Sequence, residues 1–402
     1  MTDDGRTAWI DALRAPQGER LLDELAREAI EPSNELRVIT RFRARYDADL
    51  VATALAQVKL RARARSKFSH ADRMLFTAAG LEQASSERMA AHHARRYASF
   101  TRMADLCSGI GGDLIGLARE RAVTAVDSDE VHSRLGAVNA AVNGVSANVT
   151  SICADVRDIS LADIPAVFID PARRNADRRF RAGASDPPLD WCWSLAERGT
   201  SVGVKAAPGL PVDLVPAGWE VEFVSEGREL KESVLWSPSL ATTARRATLL
   251  PSGDSIAGGG GGAHLPVRDP GNFLLDPDPA VTRAGLVEEL GELLADRFGA
   301  CWKIDDRVAF ISSNVALETE FGRPLCIEAS LPWNLKRVKQ ALSTLDVGSV
   351  DIRKRGSAVD VDEIQRRLKL DGQRAVTLVL TRLRDRPWAF VCSAVAAADV
   401  RP

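Results

Sequence analysis

The chain has 402 residues, 45% of them apolar, with 53 basic against 55 acidic side chains and a net charge of −2. That length corresponds to two to four domains at roughly 100–200 residues each, and the near-cancelled charge excludes a chain-wide grip on a polyanion, leaving only local basic clusters. Its six cysteines have no paired spacing and its five histidines form no ligand pattern, so the chain reads as a reduced protein without a disulfide framework or a metal site.

At the N-terminus, Asp3, Asp4 and Arg6 precede a lone Trp9-Ile10, which is not the apolar core of a signal peptide. No apolar run approaches the ~18 residues of a membrane helix, so a cytoplasmic protein off the membrane is expected. Residues 1–98 read as a helical region: Leu21-Leu22, Leu25 and Ala29-Ile30 recur at helical spacing until Pro32-Ser33-Asn34 breaks the pattern. A second helix is predicted over 47–63, through Leu50-Val51, Ala54-Leu55 and Val58. The basic run Arg61, Arg63, Arg65, Lys67 that follows is either a solvated helix end or a nucleic-acid contact. Lysine supplies only nine of the basic residues in the chain, so arginine abundance alone argues little.

Residues 99–251 alternate strand and helix patterns, the signature of a doubly wound, Rossmann-like parallel α/β sheet. Strands are predicted over 103–106, 123–127, 149–153, 166–170 and 201–205, and a helix over 129–143 that stops at Gly144. Later β-type runs over 219–224, 233–236 and 248–250 suit the far edge of the sheet, where antiparallel strands are allowed.

The first strand runs into Asp105-Leu106-Cys107-Ser108-Gly109-Ile110-Gly111-Gly112-Asp113, the second ends at Asp127, and Asp155 follows the third. Glycines at 109, 111 and 112 allow φ > 0 and a close backbone approach to a ligand. The three acids in register with successive strands suit a ligand with an amine, a ribose and an adenine: Asp105 for the ammonium, Asp127 for the ribose hydroxyls, Asp155 for the exocyclic amine. S-adenosyl-L-methionine has those three parts, and Ser108, Gly109, Gly111 and Gly112 would form the turn around it. A nicotinamide dinucleotide is the poorer fit. The third glycine of its fingerprint falls at Leu114, and Asp105 would repel a pyrophosphate. A capped strand-to-helix turn without ligand explains one glycine turn but not three acids in register.

Residues 252–270, with Ser252-Gly-Asp-Ser and five glycines from Gly258 to Gly262, read as a flexible linker; no Gly-Lys-Ser/Thr follows, which argues against a phosphate loop. Residues 271–402 read as an α+β module. One helix is predicted from Asp278-Pro279 through Leu286, Leu290 and Leu294, and another after Pro332 with Leu335, Val338 and Leu342 inward and Lys336, Arg337 and Lys339 outward. A strand over 350–353, a helix over 361–368 and a hairpin of strands 375–381 and 388–392 complete it. Further basic residues gather at Arg353-Lys354-Arg355 and Arg366-Arg367.

Asp105–Gly112, Val126-Asp127, Asn139, Gly144, Asp155 and Asp170-Pro171 together resemble the core of the class I S-adenosylmethionine-dependent methyltransferases. Gly109-Ile-Gly-Gly112 and Ser85-Ser-Glu-Arg-Met-Ala90 are similar to the trimethylguanosine synthase branch, and the whole chain, with Leu81-Glu-Gln83-Ala-Ser-Ser86 and Lys354-Arg-Gly356, resembles bacterial proteins that join this core to a C-terminal THUMP-like domain. The resemblance implies methyl transfer and, because THUMP domains bind structured RNA, a transfer or ribosomal RNA partner.

Asp170 ends the predicted fourth strand, where a carboxylate can orient an attacking amine or hydroxyl and accept its proton; a turn-forming Asp before Pro171 is the plainer reading. Amine-methylating relatives carry Asn/Asp/Ser-Pro-Pro-aromatic here, whereas this chain has Asp170-Pro171-Ala172-Arg173, which argues against cap-type guanosine-N2 chemistry. Arg173, Arg174, Arg178, Arg179 and Arg181 follow as candidate phosphate or base contacts at the rim. Trp191 and Trp193 are expected to face the core, and Lys205 ends the fifth strand within reach of the pocket. The alternatives to RNA methylation are a small-molecule methyltransferase and a non-catalytic RNA-binding protein with a retained donor pocket.

Overall fold

The computed structural model describes residues 4–173, 185–259, 264–357 and 359–395. Contacts divide the chain into two compact units, Met1–Trp219 with Val234–Ala241, and Glu220–Ser233 with Thr242–Pro402. The glycine-rich stretch therefore lies inside the second unit, because the strands just before it pack with the helices just after it. Among the described residues no helix is long and apolar enough to cross a membrane, and no group of three or more His, Cys, Asp or Glu side chains is placed to hold a metal.

The first unit opens with six helices, α1 (Asp4–Arg14), α2 (Pro16–Ala26), α3 (Glu35–Arg43), α4 (Ala48–Ala64), α5 (Ala78–Gln83) and α6 (Glu87–Arg96). The predicted 47–63 helix is α4, started by the Asp47 carboxylate accepting from the Asp49 and Leu50 amides. Its apolar face, Val51, Ala54 and Leu55, joins Leu21, Leu25, Phe42, Phe68 and Phe76 in one core. Buried Gln57 exchanges two hydrogen bonds with the backbone of Phe76 (2.7 and 3.0 Å), which fixes the segment leading to α5.

The alternating part comprises β1 (Arg102–Leu106), α7 (Gly112–Leu117), β2 (Ala122–Asp127), α8 (Glu130–Val142), β3 (Val149–Cys153), β4 (Ala166–Ile169), the short pair β5 (Ala172–Arg173) and β6 (Ser185–Asp186), α9 (Leu189–Glu197) and β7 (Ser201–Ala206). The parallel strands run in the order β7-β4-β1-β2-β3. From β1 the chain winds one way to β2 and β3, then the other way to β4 and β7. The crevice beyond the carboxyl ends of β1 and β4 is the topological switch point, where open α/β sheets bind ligands. Beneath it, Tyr97, Phe168 and Trp236 form a buried aromatic cluster with centroids 5.9–6.4 Å apart. Gly203 makes room for it, since a Cβ there would sit 2.4 Å from the Tyr97 hydroxyl.

The second unit holds β8 (Glu220–Glu226), the start of β9 (Glu229–Trp236), β10 (Arg245–Leu250) and β11 (Ser255–Gly258). β10 pairs with β8 in parallel and with β11 antiparallel. The Ser252–Asp254 segment is the turn between β10 and β11, closed by Gly253 N to Leu249 O and Leu249 N to Asp254 O. Gly258 belongs to a paired strand, and residues 260–263 lie outside the described residues.

Next come β12 (Phe273–Pro277), α10 (Pro279–Ala284), α11 (Val287–Phe298), β13 (Trp302–Lys303), β14 (Ile311–Ser313), β15 (Gly322–Pro332), α12 (Leu335–Thr344), β16 (Val347–Lys354), α13 (Val361–Arg367), β17 (Arg374–Leu383) and β18 (Arg386–Ala394). These strands form a sheet ordered β13-β14-β12-β15-β18-β17-β16. The single helix predicted from Asp278 is two, because Gly285 turns left-handed at φ +70° and ends α10. The hairpin expected between the last two strands is present, with Arg384 and Asp385 both at positive φ.

Two of the basic runs hold the fold together. Arg61 donates to the carbonyls of Met74 and Arg73, and Lys67 to those of Leu81, Glu82 and Ala84, where it caps the end of α5. Arg355 bonds Asp276, Thr282 and the Pro277 carbonyl, and Arg353 bonds Asp351.

Candidate active site

Backbone register sets the site. Asp105 on β1 lies beside Ala125 of β2 and Phe168 of β4, while Asp127 closes β2 opposite Cys153. Beyond the strand ends, Ser108 N donates to Val126 O, Asp170 N to Leu106 O and Ala154 N to Asp127 O (all 3.1 Å). The tails of four strands are thereby stitched together, carrying Asp105, Ser108, Asp127, Asp155 and Asp170 to one edge.

The turn after β1 is held by the acid that ends β2. One Asp127 carboxylate oxygen accepts from the Gly109 amide at 2.8 Å and the other from the Asp129 amide at 2.9 Å. Gly109 and Gly111 take positive φ (+54° and +91°), and a Cβ on Gly109 would meet nothing within 4 Å. Gly112 differs from the expectation of φ > 0. It is the first residue of α7, and its missing Cβ serves close packing, since an added Cβ would stand 3.0 Å from the Ser85 amide. Cys107, a non-glycine residue, is also left-handed at φ +60°.

Asp105 is 1% exposed, and its Oδ2 has no hydrogen-bond partner. Burial, reinforced by the charges of Asp113, Asp170 and Asp127, pushes its carboxyl well above the ordinary carboxylate range. A buried acceptor without a donor is costly, and a ligand ammonium would satisfy it.

Asp155 sits past the end of β3 with its carboxylate already engaged by Arg157, through the backbone amide (2.9 Å), Nε (2.8 Å) and Nη2. Those bonds bring its pKa down to about 2. Asp170 is about one-third exposed and receives the Lys205 ammonium at 2.8 Å, and Pro171 behind it is buried. The Arg173 backbone pairs with Ser185 in the β5–β6 ladder. Arg174, Arg178, Arg179 and Arg181 lie outside the described residues. Trp191 and Trp193 are half-buried rather than in the core, with Trp193 edge-on to Trp219 at 4.5 Å.

One cluster was not read from the sequence. His93 Nδ1 meets Asp113 Oδ1 at 2.7 Å, Ser85 donates to Asp113 Oδ2 at 2.8 Å, and Lys205 reaches Ser85 Oγ at 3.0 Å. Burial pushes the Asp113 carboxyl up, but His93, Lys205 and Ser85 outweigh it and bring it down to about 2. The signal available was His93 on the apolar face of α6, one turn after Met89 and Ala90, which are buried with it.

Comparisons with known proteins give the family. Residues 100–182 match the family model described as RNA cap guanine-N2 methyltransferase, residues 322–394 one described as THUMP domain-like, and residues 6–64 a domain of unknown function. Over 319 residues the chain is 38% identical to a Mycobacterium tuberculosis protein described as an uncharacterized S-adenosylmethionine-dependent methyltransferase, covering 77% of this chain and 85% of the relative. The chain belongs to the S-adenosylmethionine-dependent methyltransferases. A crystal structure from Porphyromonas gingivalis W83 shares the methyltransferase's fold at a TM-score of 0.71, with 20% identity over 88% of this chain and 92% of that one. The cofactor is S-adenosylmethionine, and the residues present fit it: an orphaned buried carboxyl oxygen for a cation beside an open glycine turn.

Proposed function

We propose that this methyltransferase acts on a base of structured RNA, transfer or ribosomal. Asp105, Ser108, Gly109, Gly111, Gly112, Asp127 and Asp155 surround the donor, and Asp170-Pro171 stands at the acceptor. The observation that carries the reading is the unpartnered Asp105 oxygen at the switch point of the sheet. The match to RNA cap guanine-N2 methyltransferase and THUMP-like families supports RNA as the substrate.

When bound, the donor supplies an electrophilic methyl group on a sulfonium. Asp105 accepts the hydrogens of its ammonium. The free lone pairs of Asp127 accept from ribose hydroxyls while the same carboxylate keeps the Gly109 turn closed. Asp155 contributes to the adenine through whatever acceptor capacity Arg157 leaves. In-line displacement needs an aligned nucleophile more than covalent help. Asp170 orients the attacking hydrogen-bearing atom and takes its proton during or after attack. With Ala172 where relatives place a second proline, and no aromatic following, the base is stacked from elsewhere. Arg173, Arg174 and Arg178 hold its phosphates, and residues 271–402 supply the RNA-binding module.

The test is transfer of labelled methyl from the donor to total RNA taken from a strain lacking the protein, with mass spectrometry of the product nucleotide. Label should enter transfer or ribosomal RNA, and Asp170→Ala should lower the rate about 100-fold or more, as loss of a general base does. Label entering only a metabolite extract would replace RNA by a small molecule, and no label in either would leave a passive binder.

A further inference from the structure

Behind Asp170 stands a part-buried cation that no role yet described requires. Lys205 ends β7, and its side chain is 14% exposed. Its ammonium lies 2.8 Å from Asp170 Oδ2, 3.0 Å from Ser85 Oγ and 3.9 Å from Asp113 Oδ2. Ser85 passes its own hydrogen on to Asp113, whose other oxygen meets the fully buried His93. The His93 ring packs 4.8 Å from Phe168, two residues before Asp170 on the same strand. Three other elements thus converge on the ammonium that β7 carries: the loop before α6, α7 and the segment after β4.

The packing around this network is tight. Gly112 leaves no room for a Cβ against Ser85, and Gly116 none against Ala90, where one would approach to 2.7 Å. The segment that carries Ser85 is therefore packed closely against α7. The flexible four-carbon side chain of Lys205 ends between Asp113 and Ser85 on one side and Asp170 on the other. Among the described residues, the charged groups in the neighbourhood of Asp170 include Lys205 from β7, Asp105 from β1, Asp113 from α7 and Asp127 from β2. Three of these are acids, and Lys205 opposes them.

We propose that Lys205, locked by Ser85 and the His93–Asp113 pair, is a positioning residue that keeps the Asp170 carboxylate ionised and fixed in orientation at the mouth of the site. The proposal rests on the reading of Asp170 as the group that meets the nucleophile. In this proposal Lys205 acts through Asp170 and not on the donor or acceptor. The Ser85-Ser-Glu-Arg-Met-Ala90 stretch then has a task the donor does not give it: the N-terminal helices supply the clamp behind the catalytic carboxylate.

The experiment uses the full-length protein and the variants Lys205→Met, Lys205→Arg and Ser85→Ala. The Asp170 carboxyl is followed by carbon-13 NMR against pH, assigned by its disappearance in Asp170→Asn. An opposite charge at this range lowers a carboxyl pKa by about one to three units, so Lys205→Met should raise the Asp170 midpoint by about one unit or more, Ser85→Ala by less, and Lys205→Arg should restore it. With total RNA from a deletion strain as acceptor, kcat should fall about 100-fold in Lys205→Met, as a misplaced group does. The acid limb of the rate profile should move up, and the dissociation constant for S-adenosylmethionine should stay within about threefold, since no donor contact is lost. Thermal melts separate misfolding from this effect, because a merely structural role would lower Tm and leave the Asp170 midpoint in place. An unmoved midpoint in Lys205→Met, or in Ser85→Ala if the first variant does not fold, overturns the proposal. So does a loss of donor affinity as large as the loss of rate. Absence of methyl transfer by the wild type would instead count against the RNA reading, and the titration would still decide whether Lys205 holds Asp170.

Discussion

The two buried acids on either side of the glycine turn titrate in opposite senses. Asp105 holds its proton well above the ordinary carboxylate range, mainly through burial, so the folded state takes up a proton that the unfolded chain has lost. The stability tied to Asp105 is complete below its unfolded pKa and is lost as pH rises toward the folded one. Asp113, brought down to about 2 against its own burial, contributes stability above the unfolded value of 3.8 that is lost as pH falls toward 2. The ligand-free protein should therefore lose melting temperature as pH rises from the ordinary carboxylate range toward the raised Asp105 value, and Asp105→Asn should flatten that slope. The same variant should weaken S-adenosylmethionine binding by about tenfold or more, since a hydrogen bond to a charged partner contributes about 1.5–3 kcal/mol. Titration calorimetry with the variant decides this, and unchanged affinity would remove Asp105 from the donor site. Asp105 and Asp127 were legible in the sequence because an acid at a strand end beside glycines is a local pattern. The His93–Asp113–Ser85–Lys205 network was not, because its members come from distant elements that only tertiary packing brings together.

At the scale of elements, one side chain ties the helical region to the glycine turn after β1. Asn139 on α8 is fully buried, accepts from the Leu75 amide at 2.9 Å, and donates to the Leu75 and Ile110 carbonyls at 3.0 and 2.9 Å. Asn139→Ala leaves a buried amide and two carbonyls short of partners, at a cost of about 3 kcal/mol. The urea midpoint should fall with m unchanged, and donor affinity should weaken with it because Ile110 sits between Gly109 and Gly111. A shift under about 0.5 kcal/mol, the scale of ordinary surface changes, would show that the turn stands without this tie. Gly116→Ala should also destabilise, by about 1–3 kcal/mol, because its Cβ would stand 2.7 Å from the Ala90 backbone; chemical denaturation measures it. The parallel strands and α4 follow their predicted spans closely because their apolar periodicity and caps are local signals. β15 escaped prediction, since Pro324 and Pro332 and a bulge between Ile327 and Ala329 hide an eleven-residue strand behind half-buried, mixed side chains. The break between α10 and α11 was equally masked, since leucine spacing runs straight through Gly285.

For the whole molecule, the question is which cations remain for a polyanion once the fold has used its share. Arg61, Lys67 and Arg355 are spent on internal acceptors, so the 61–67 and 353–355 runs are largely structural. On α12 the outward residues Lys336, Arg337 and Lys339 are exposed, no acid stands in the helix, and none of the three has a salt-bridge partner among the described residues. Val338 and Leu342 of α12 share one core with Ile364 of α13, which carries Arg366 and Arg367 outward. If the proposed RNA substrate runs over these helices, each phosphate neutralised releases counterions and adds roughly 0.7–0.9 to the salt exponent of binding. Replacing Lys336, Arg337 and Lys339 by glutamine in the full-length protein should lower that exponent by about two, measured by fluorescence anisotropy with total transfer RNA over a salt series. Donor affinity should not change, since none of the three belongs to the proposed donor site. An unaltered exponent would clear α12 of any role and shift the burden to the arginines after Asp170, where Arg173→Ala and Arg174→Ala should then carry the salt dependence alone.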